Sequence, residues 1–348
     1  MFRKIVTAAV IAAIGIFSSS AAVAEKWRFA LEEGEGSVQE AYAQEFKKRI
    51  EKRSDGDISI DIYPYGALGT SPQLTELVRQ NAIQLAFASP DHLASVIPEV
   101  GVFSLHYLFS DEEEFNEQVL ASTKAQPLLQ EAYGEQRLQL LSIISEGWTA
   151  WTANRAIKTP GDMEDLKMRT MTSPVVQETY RAYGAMPEPV IHAELRSALQ
   201  SGQLEGQTNT ISAIEEMSLY EVQNHLIQAK PLPFITTLVA AQDFFEQLPE
   251  EQQAMLNDVT DEMRRYIFDR QEELNQQRLE AIEENSDIEM ITLTQEQRQA
   301  FREKSLPVRD VYVEQAGERG KKILETLSEE LGVAQKKESD SSSGNNKD

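Results

Sequence analysis

Cysteine is absent from all 348 residues. That excludes disulfides, thiol nucleophiles, Cys-based zinc sites and iron–sulfur clusters. Histidine is scarce: His92, His106, His192 and His225 are the only four. None stands in a H-E-x-x-H pair, and no G-x-S-x-G, Walker or G-x-G-x-x-G pattern occurs, so the sequence offers no zinc, nucleophile, phosphate or dinucleotide motif. Paired carboxylates carry no information in a chain this acidic. No enzymatic activity, cofactor or metal is expected. Basic residues are also few, 33 against 57 acidic ones, for a net charge of −24. Such a surface repels nucleic acid and anionic lipid, and suits high salt, where screening is strong. An anionic ligand would have to be drawn by a local basic group against this field.

Long hydrophobic runs are missing too. The apolar stretch Ile5 to Phe17 has 13 residues, short of the roughly 20 that a spanning helix needs. It follows Arg3-Lys4 and precedes the small-residue site Ala22-Val23-Ala24, the three-part pattern of a secretory signal peptide. Cleavage after about Ala24 is expected, releasing a soluble chain outside the cytoplasm. With no Cys after the cut, a lipid anchor is not expected.

What remains is a chain of alternating strand and helix patterns. Trp27 to Leu31 reads as a strand, Ala41, Phe46 and Ile50 as a helical stripe, and Asp57 to Tyr63 as a strand of period two. A helix over Ser71 to Arg79 leads to the apolar strand Ile83 to Phe87, which Ser89-Pro90 ends. Strands follow at Leu140 to Ile144, Trp148 to Ala153 (after a break at Glu146-Gly147), Asp165 to Met171 and Met186 to Val190, with helices from Pro174 and from Ala193 to Gly202. The alternation implies an α/β protein with mixed, largely parallel sheets, whose ligands lie beyond the carboxyl ends of strands. From Pro249 to about Asn285 the pattern is one long helix, and Leu306 to Leu331 continues in that style. Residues 334–348, rich in Ser, Asn and charge, are expected to be a disordered tail.

Three segments together resemble a known family: Lys167-Met168-Arg169-Thr170-Met171-Thr172-Ser173-Pro174, Ala198 to Asn209 ending in Gln207-Thr208-Asn209, and Tyr63-Pro64-Tyr65-Gly66-Ala67-Leu68-Gly69. They resemble the DctP-like solute-binding proteins of tripartite ATP-independent periplasmic (TRAP) transporters, in order and spacing along the whole mature chain. The resemblance is nearest to the ectoine-binding members, through Trp27-Arg28, Glu32-Glu33, Glu178-Thr179-Tyr180 and Leu219-Tyr220-Glu221-Val222.

The resemblance implies a two-lobed periplasmic binding protein fold with a long C-terminal helix spanning both lobes. The expected lobes are 25–147 with 236–285, and 148–235 with 286–333. It implies a protein that closes over a small organic acid and hands it to TRAP membrane permease subunits; a monomer is the default expectation. A periplasmic subunit presenting the same acid to a signalling receptor would need the same cleft. By the resemblance, Arg169 grips the ligand carboxylate and Asn209 helps to hold it. The chemistry agrees: a guanidinium fork matches two carboxylate oxygens, which an ammonium cannot imitate. Glu33 stands where the family meets a cationic ligand group. The aromatic enclosure of ectoine-type pockets is altered, with His92, His192 and Ala213 at ring positions and Phe234 alone aromatic. Trp148 is expected as a further wall. The ligand expected is therefore a small carboxylate with extra hydroxyl, keto, amino or acid groups.

Overall fold

A computed structural model describes residues 24–332. The expected leader ahead of Ala24 and the expected tail lie outside the described residues.

The chain opens with β1 (Glu25–Ala30), α1 (Val38–Arg53), β2 (Ile58–Tyr63), α2 (Ser71–Arg79), β3 (Leu85–Ala88) and the single turn α3 (Pro90–Leu93). Next come α4 (Glu113–Ser122), α5 (Gln126–Gly134) and the 16-residue strand β4 (Leu138–Ala153). A second strand–helix series follows: β5 (Lys167–Thr170), α6 (Pro174–Ala182), β6 (Met186–Pro189), α7 (His192–Gln200), β7 (Gly206–Thr210), α8 (Ile211–Glu216), β8 (His225–Gln228) and β9 (Pro233–Ala241). The last third holds α9 (Gln242–Gln247), α10 (Glu250–Asn285), β10 (Glu289–Thr292), α11 (Gln295–Ser305) and α12 (Val308–Glu330).

Local chemistry explains the early elements. Ser37 caps α1, its Oγ accepting the Glu40 N–H at 3.1 Å. The helix buries Val38, Tyr42, Phe46 and Ile50, a stripe at i, i+4 spacing that leaves Ala41 at its margin. All four residues of β3 are buried, as a central strand covered on both faces requires.

The strands form the order β2-β1-β3-β9-β4-β7-β5-β6, with β8 attached to β4 and β10 to β8. Pairing is parallel within β1, β2 and β3, within β5, β6 and β7, and between β8 and β10. It is antiparallel wherever β4 or β9 takes part. β4 is the bridge. Its first part pairs with β9, and its last residues, Thr149 to Ala153, pair with β7 and β8. The sequence suggested two strands separated at Glu146-Gly147; the structure has one strand with a bulge there, and register shifts between Ser145 and Trp148. Gly147 takes φ +101°, which lets the extra residue fit without ending the strand.

The buried side chains divide accordingly. One large core joins β1–β3, β9, the first part of β4 and their helices. Beyond the bulge, alternation along the strands feeds two smaller cores on opposite sheet faces: Trp151, Met168 and Ile227 on one, Ala150 and Leu226 on the other. α10, about 54 Å long at 1.5 Å per residue, buries Leu256 to Leu274 in the large core and Ile282 in a small one, so it spans both lobes. Residues 286–333 were expected in the second lobe. Ile291 and Phe301 do pack there, but Val308, Tyr312, Ile323 and Leu327 of α12 belong to the large core. The helical stripe specified a buried face for α12 without specifying its partner. Among the described residues no helix is long and apolar enough to cross a membrane.

Candidate functional site

Strands of two separate parallel sets end at one hollow between the lobes. Glu32 and Glu33 follow β1, Ser89 and His92 follow β3, and Arg169 with Met171 closes β5. Gln39 of α1, Ser71 at the start of α2, His192 at the start of α7, Asn209 of β7, Ala213 of α8 and Phe234 of β9 complete the lining. This is where α/β sheets place ligands. The hollow measures about 40 Å³, room for no more than a few water molecules. The lobes are drawn together around it. Tyr65 meets His192 edge-on with ring centroids 5.3 Å apart, and Arg278 of α10 holds Glu215 on one side and the Gly36 carbonyl, at 3.3 Å, on the other.

Arg169 is 2% exposed. Its Nε donates to the Val190 carbonyl at 3.0 Å, which fixes the guanidinium plane, while Nη1 is buried with no acceptor. A buried charged donor without a partner is costly, and an arriving carboxylate removes that cost. Burial pushes the Arg169 pKa down to about 10, opposed by the charge of Asp91 and by Tyr65 and Tyr180; the group stays cationic at neutral pH. Asn209 lies in the same wall. Its Nδ2 donates to Gln207 Oε1 at 2.7 Å, and Gln207 Nε2 donates to Thr152 Oγ1 at 3.1 Å, so a row of amides holds it in place.

His92 and His192 are both neutral here. Burial drives each pKa down to about 4; the Arg169 charge adds to this for both, and His192 adds further for His92. They can read hydroxyl, keto or acid groups as neutral donors or acceptors, with His92 Nδ1 buried and unpaired.

The opposite end is acidic. Glu32 is buried, accepting the Ser89 N–H at 2.7 Å through Oε2 and leaving Oε1 without a donor. Burial raises its pKa to about 7 against the pull of Ser89 and Ser71. Burial also raises Glu33 to about 7; a hydrogen bond from Glu146 lowers it, and the charge of Glu216 raises it further. The cavity therefore has one cationic end, where the neutral imidazoles stand near Arg169, and one acidic end.

Six of the seven sequence-predicted residues meet in this hollow: Arg169, Asn209, Glu33, His92, His192 and Phe234. Trp148 does not. Regular alternation would put it on the same face as Glu146, but the bulge takes it out of step. Its indole lines a separate hollow of about 230 Å³ against Gln271 and Asn275 of α10, with the Lys230 ammonium 5.5 Å from the ring centroid. The sequence reading missed Glu32, Gln39, Ser71, Ser89 and Met171. Glu32 and Ser89 stand directly after the parallel strands β1 and β3, so the strand-end rule was the signal available for them.

Comparison with known proteins agrees. The sequence model described as bacterial extracellular solute-binding protein, family 7 (DctP) matches residues 29–315. The ectoine-binding periplasmic protein TeaA of Halomonas elongata is 35% identical over 95% of this chain and 97% of its own length. The ectoine/5-hydroxyectoine-binding periplasmic protein UehA of Ruegeria pomeroyi is 31% identical over 92% and 95%. Among solved structures, an apo, open TRAP periplasmic solute-binding protein from Marinobacter aquaeolei superposes with a TM-score of 0.84 at 43% identity, covering 87% of this chain and 99% of that one. A match across most of the chain in sequence and in fold, with the hollow at the strand ends, leads to one assignment: the chain belongs to the DctP family and is a TRAP-transporter solute-binding protein, a non-enzymatic periplasmic receptor for a small solute that serves a TRAP permease.

Proposed function

We propose that the solute is a small organic acid carrying a cationic or hydrogen-bond-donating group. It is captured as a monomeric, exported protein closes over it. The carrying observation is the bipolar cavity: the unpaired Nη1 of buried Arg169 at one end, and at the other the unpaired Oε1 of Glu32 with Glu33 beside it. Arg169 grips the carboxylate, Asn209 supports it, and Glu33 meets the far end of the ligand. The two relatives above are named for ectoine and 5-hydroxyectoine. Here only Phe234 supplies a ring face among the positions expected to be aromatic, with His92, His192 and Ala213 at the others. Imidazole edges and a methyl group make the wall more polar, which favours an acid with hydroxyl, keto or amino substituents.

The test is a thermal-shift screen of ectoines, amino acids, hydroxy and keto acids, diacids and sugar acids, followed by calorimetry. A ligand that binds only the folded form raises the melting temperature with occupancy. The reading holds if acids stabilise the protein and their uncharged amides do not. It is overturned if the stabilising solutes carry no carboxylate.

A further inference from the structure

Glu146 belongs to no wall predicted from the sequence, yet it is 0% exposed and sits against Glu33. Its Oε1 accepts Gln39 Nε2 at 3.0 Å, and that amide cannot turn over, because Gln39 Oε1 accepts the Glu32 N–H at 2.8 Å. Oε2 of Glu146 and Oε2 of Glu33 are both buried without a donor, although the two side chains are within hydrogen-bonding contact. Two facing carboxylates would leave both oxygens as unpaired acceptors and repel one another. One proton between them satisfies both. The surroundings of the two are unequal. Glu33 stands just ahead of the start of α1, where the helix dipole favours an anion, whereas Glu146 is wholly buried, so Glu33 is the carboxylate and Glu146 carries the proton.

The neighbours supply no competing cation. Glu32 faces the pair from the end of β1 and Glu216 from α8. From α10 the nearest groups are amides: Asn275 Nδ2 donates to the Glu146 carbonyl at 2.8 Å, and Gln271 packs beside Gly147. Arg278 is engaged by Glu215.

We propose that Glu146 is a specificity-determining residue that stores one proton against Glu33, and that a cationic ligand group is captured by exchange for it. This rests on the bipolar-cavity reading above. As the cation reaches Glu33, the O–H bond of Glu146 breaks, its proton passes to solvent, and the cation takes over the neutralisation. An acid without a cationic group leaves the proton in place. The site therefore accepts zwitterions and plain acids with different proton balances.

Two measurements test it on the full mature protein. Infrared spectra of ¹³C-glutamate-labelled protein without ligand should show a protonated buried carboxyl at pH 7 that Glu146→Gln lacks; an unchanged band, or none in wild type, overturns the shared proton. Calorimetry of ectoine and of succinate in phosphate and in Tris then counts protons, because buffer ionisation heats differ. Ectoine should release about one proton per molecule bound to wild type and none from Glu146→Gln, with succinate releasing none from either. Ectoine binding with no release overturns the exchange. If Glu146→Gln does not fold, Glu33→Gln replaces it and should likewise abolish release. A ligand without a carboxylate would sink the bipolar reading while the infrared result still decides the pair.

Discussion

Thr172 Oγ1 donates to the Asp91 carbonyl at 3.2 Å, joining the segment after Arg169 in one lobe to the turn that carries His92 in the other. The bond exists only while the lobes are together, so it contributes to closure over the ligand. A net hydrogen bond of about 0.5–1.5 kcal/mol corresponds to a loss of roughly two- to tenfold in affinity for Thr172→Val. Calorimetry with the best acid from the screen checks this. Wild-type affinity in that variant would mean the contact carries no part of closure.

Arg169 should dominate affinity. Its removal strands a carboxylate in a buried site, at roughly 3–5 kcal/mol, which is more than about 100-fold in the dissociation constant. Arg169→Lys should bind poorly too, because a point charge cannot match both carboxylate oxygens and loses the bond from Nε to Val190. Titration of both variants decides it, and a lysine that restored full affinity would contradict the two-pronged geometry.

Stability of the ligand-free protein should depend on pH through the acidic end. Glu32 has an ordinary pKa of 4.5 and a folded value of about 7, so the folded protein binds the extra proton between those limits. Its contribution is fully present below pH 4.5 and is lost as pH rises through about 7, an effect of order 3 kcal/mol. His92 and His192 act in the opposite sense. With ordinary values of 6.5 and folded values of about 4, their contribution is present above pH 6.5 and is lost as pH falls through 4. The two slopes oppose each other between about pH 4.5 and 6.5. Glu32→Gln should separate them: its melting temperature relative to wild type should climb from pH 5 to pH 8. Parallel curves for the two proteins would rule out this source of pH dependence.

Gly147→Ala should be destabilising by about 1–3 kcal/mol from backbone strain alone, because φ is +101°. A Cβ there would also come within 2.5 Å of Asn275 Nδ2 and 2.7 Å of Gln271 Oε1. Asn275 holds the Glu146 carbonyl of the bulge to α10, so ligand affinity should fall together with the denaturation midpoint. A variant with an unchanged midpoint would show that the bulge relaxes freely.

Much of this protein was legible in its residues. Period-two and helical stripes located most of the elements, because burial of one face requires those spacings wherever the element packs. The signature around Arg169 and the Gln207-Thr208-Asn209 segment pointed to the site, since only a guanidinium presents a planar fork to a carboxylate. Tertiary structure decided the rest. The Glu146-Gly147 break became a bulge in one continuous strand, and that extra residue sent Trp148 to another hollow and Glu146 toward Glu33. α12 joined the large core because a buried stripe defines a face and leaves its partner open. The shared proton and the neutral imidazoles depend on how much water folding removes from each group, and linear sequence carries no record of that distance from solvent.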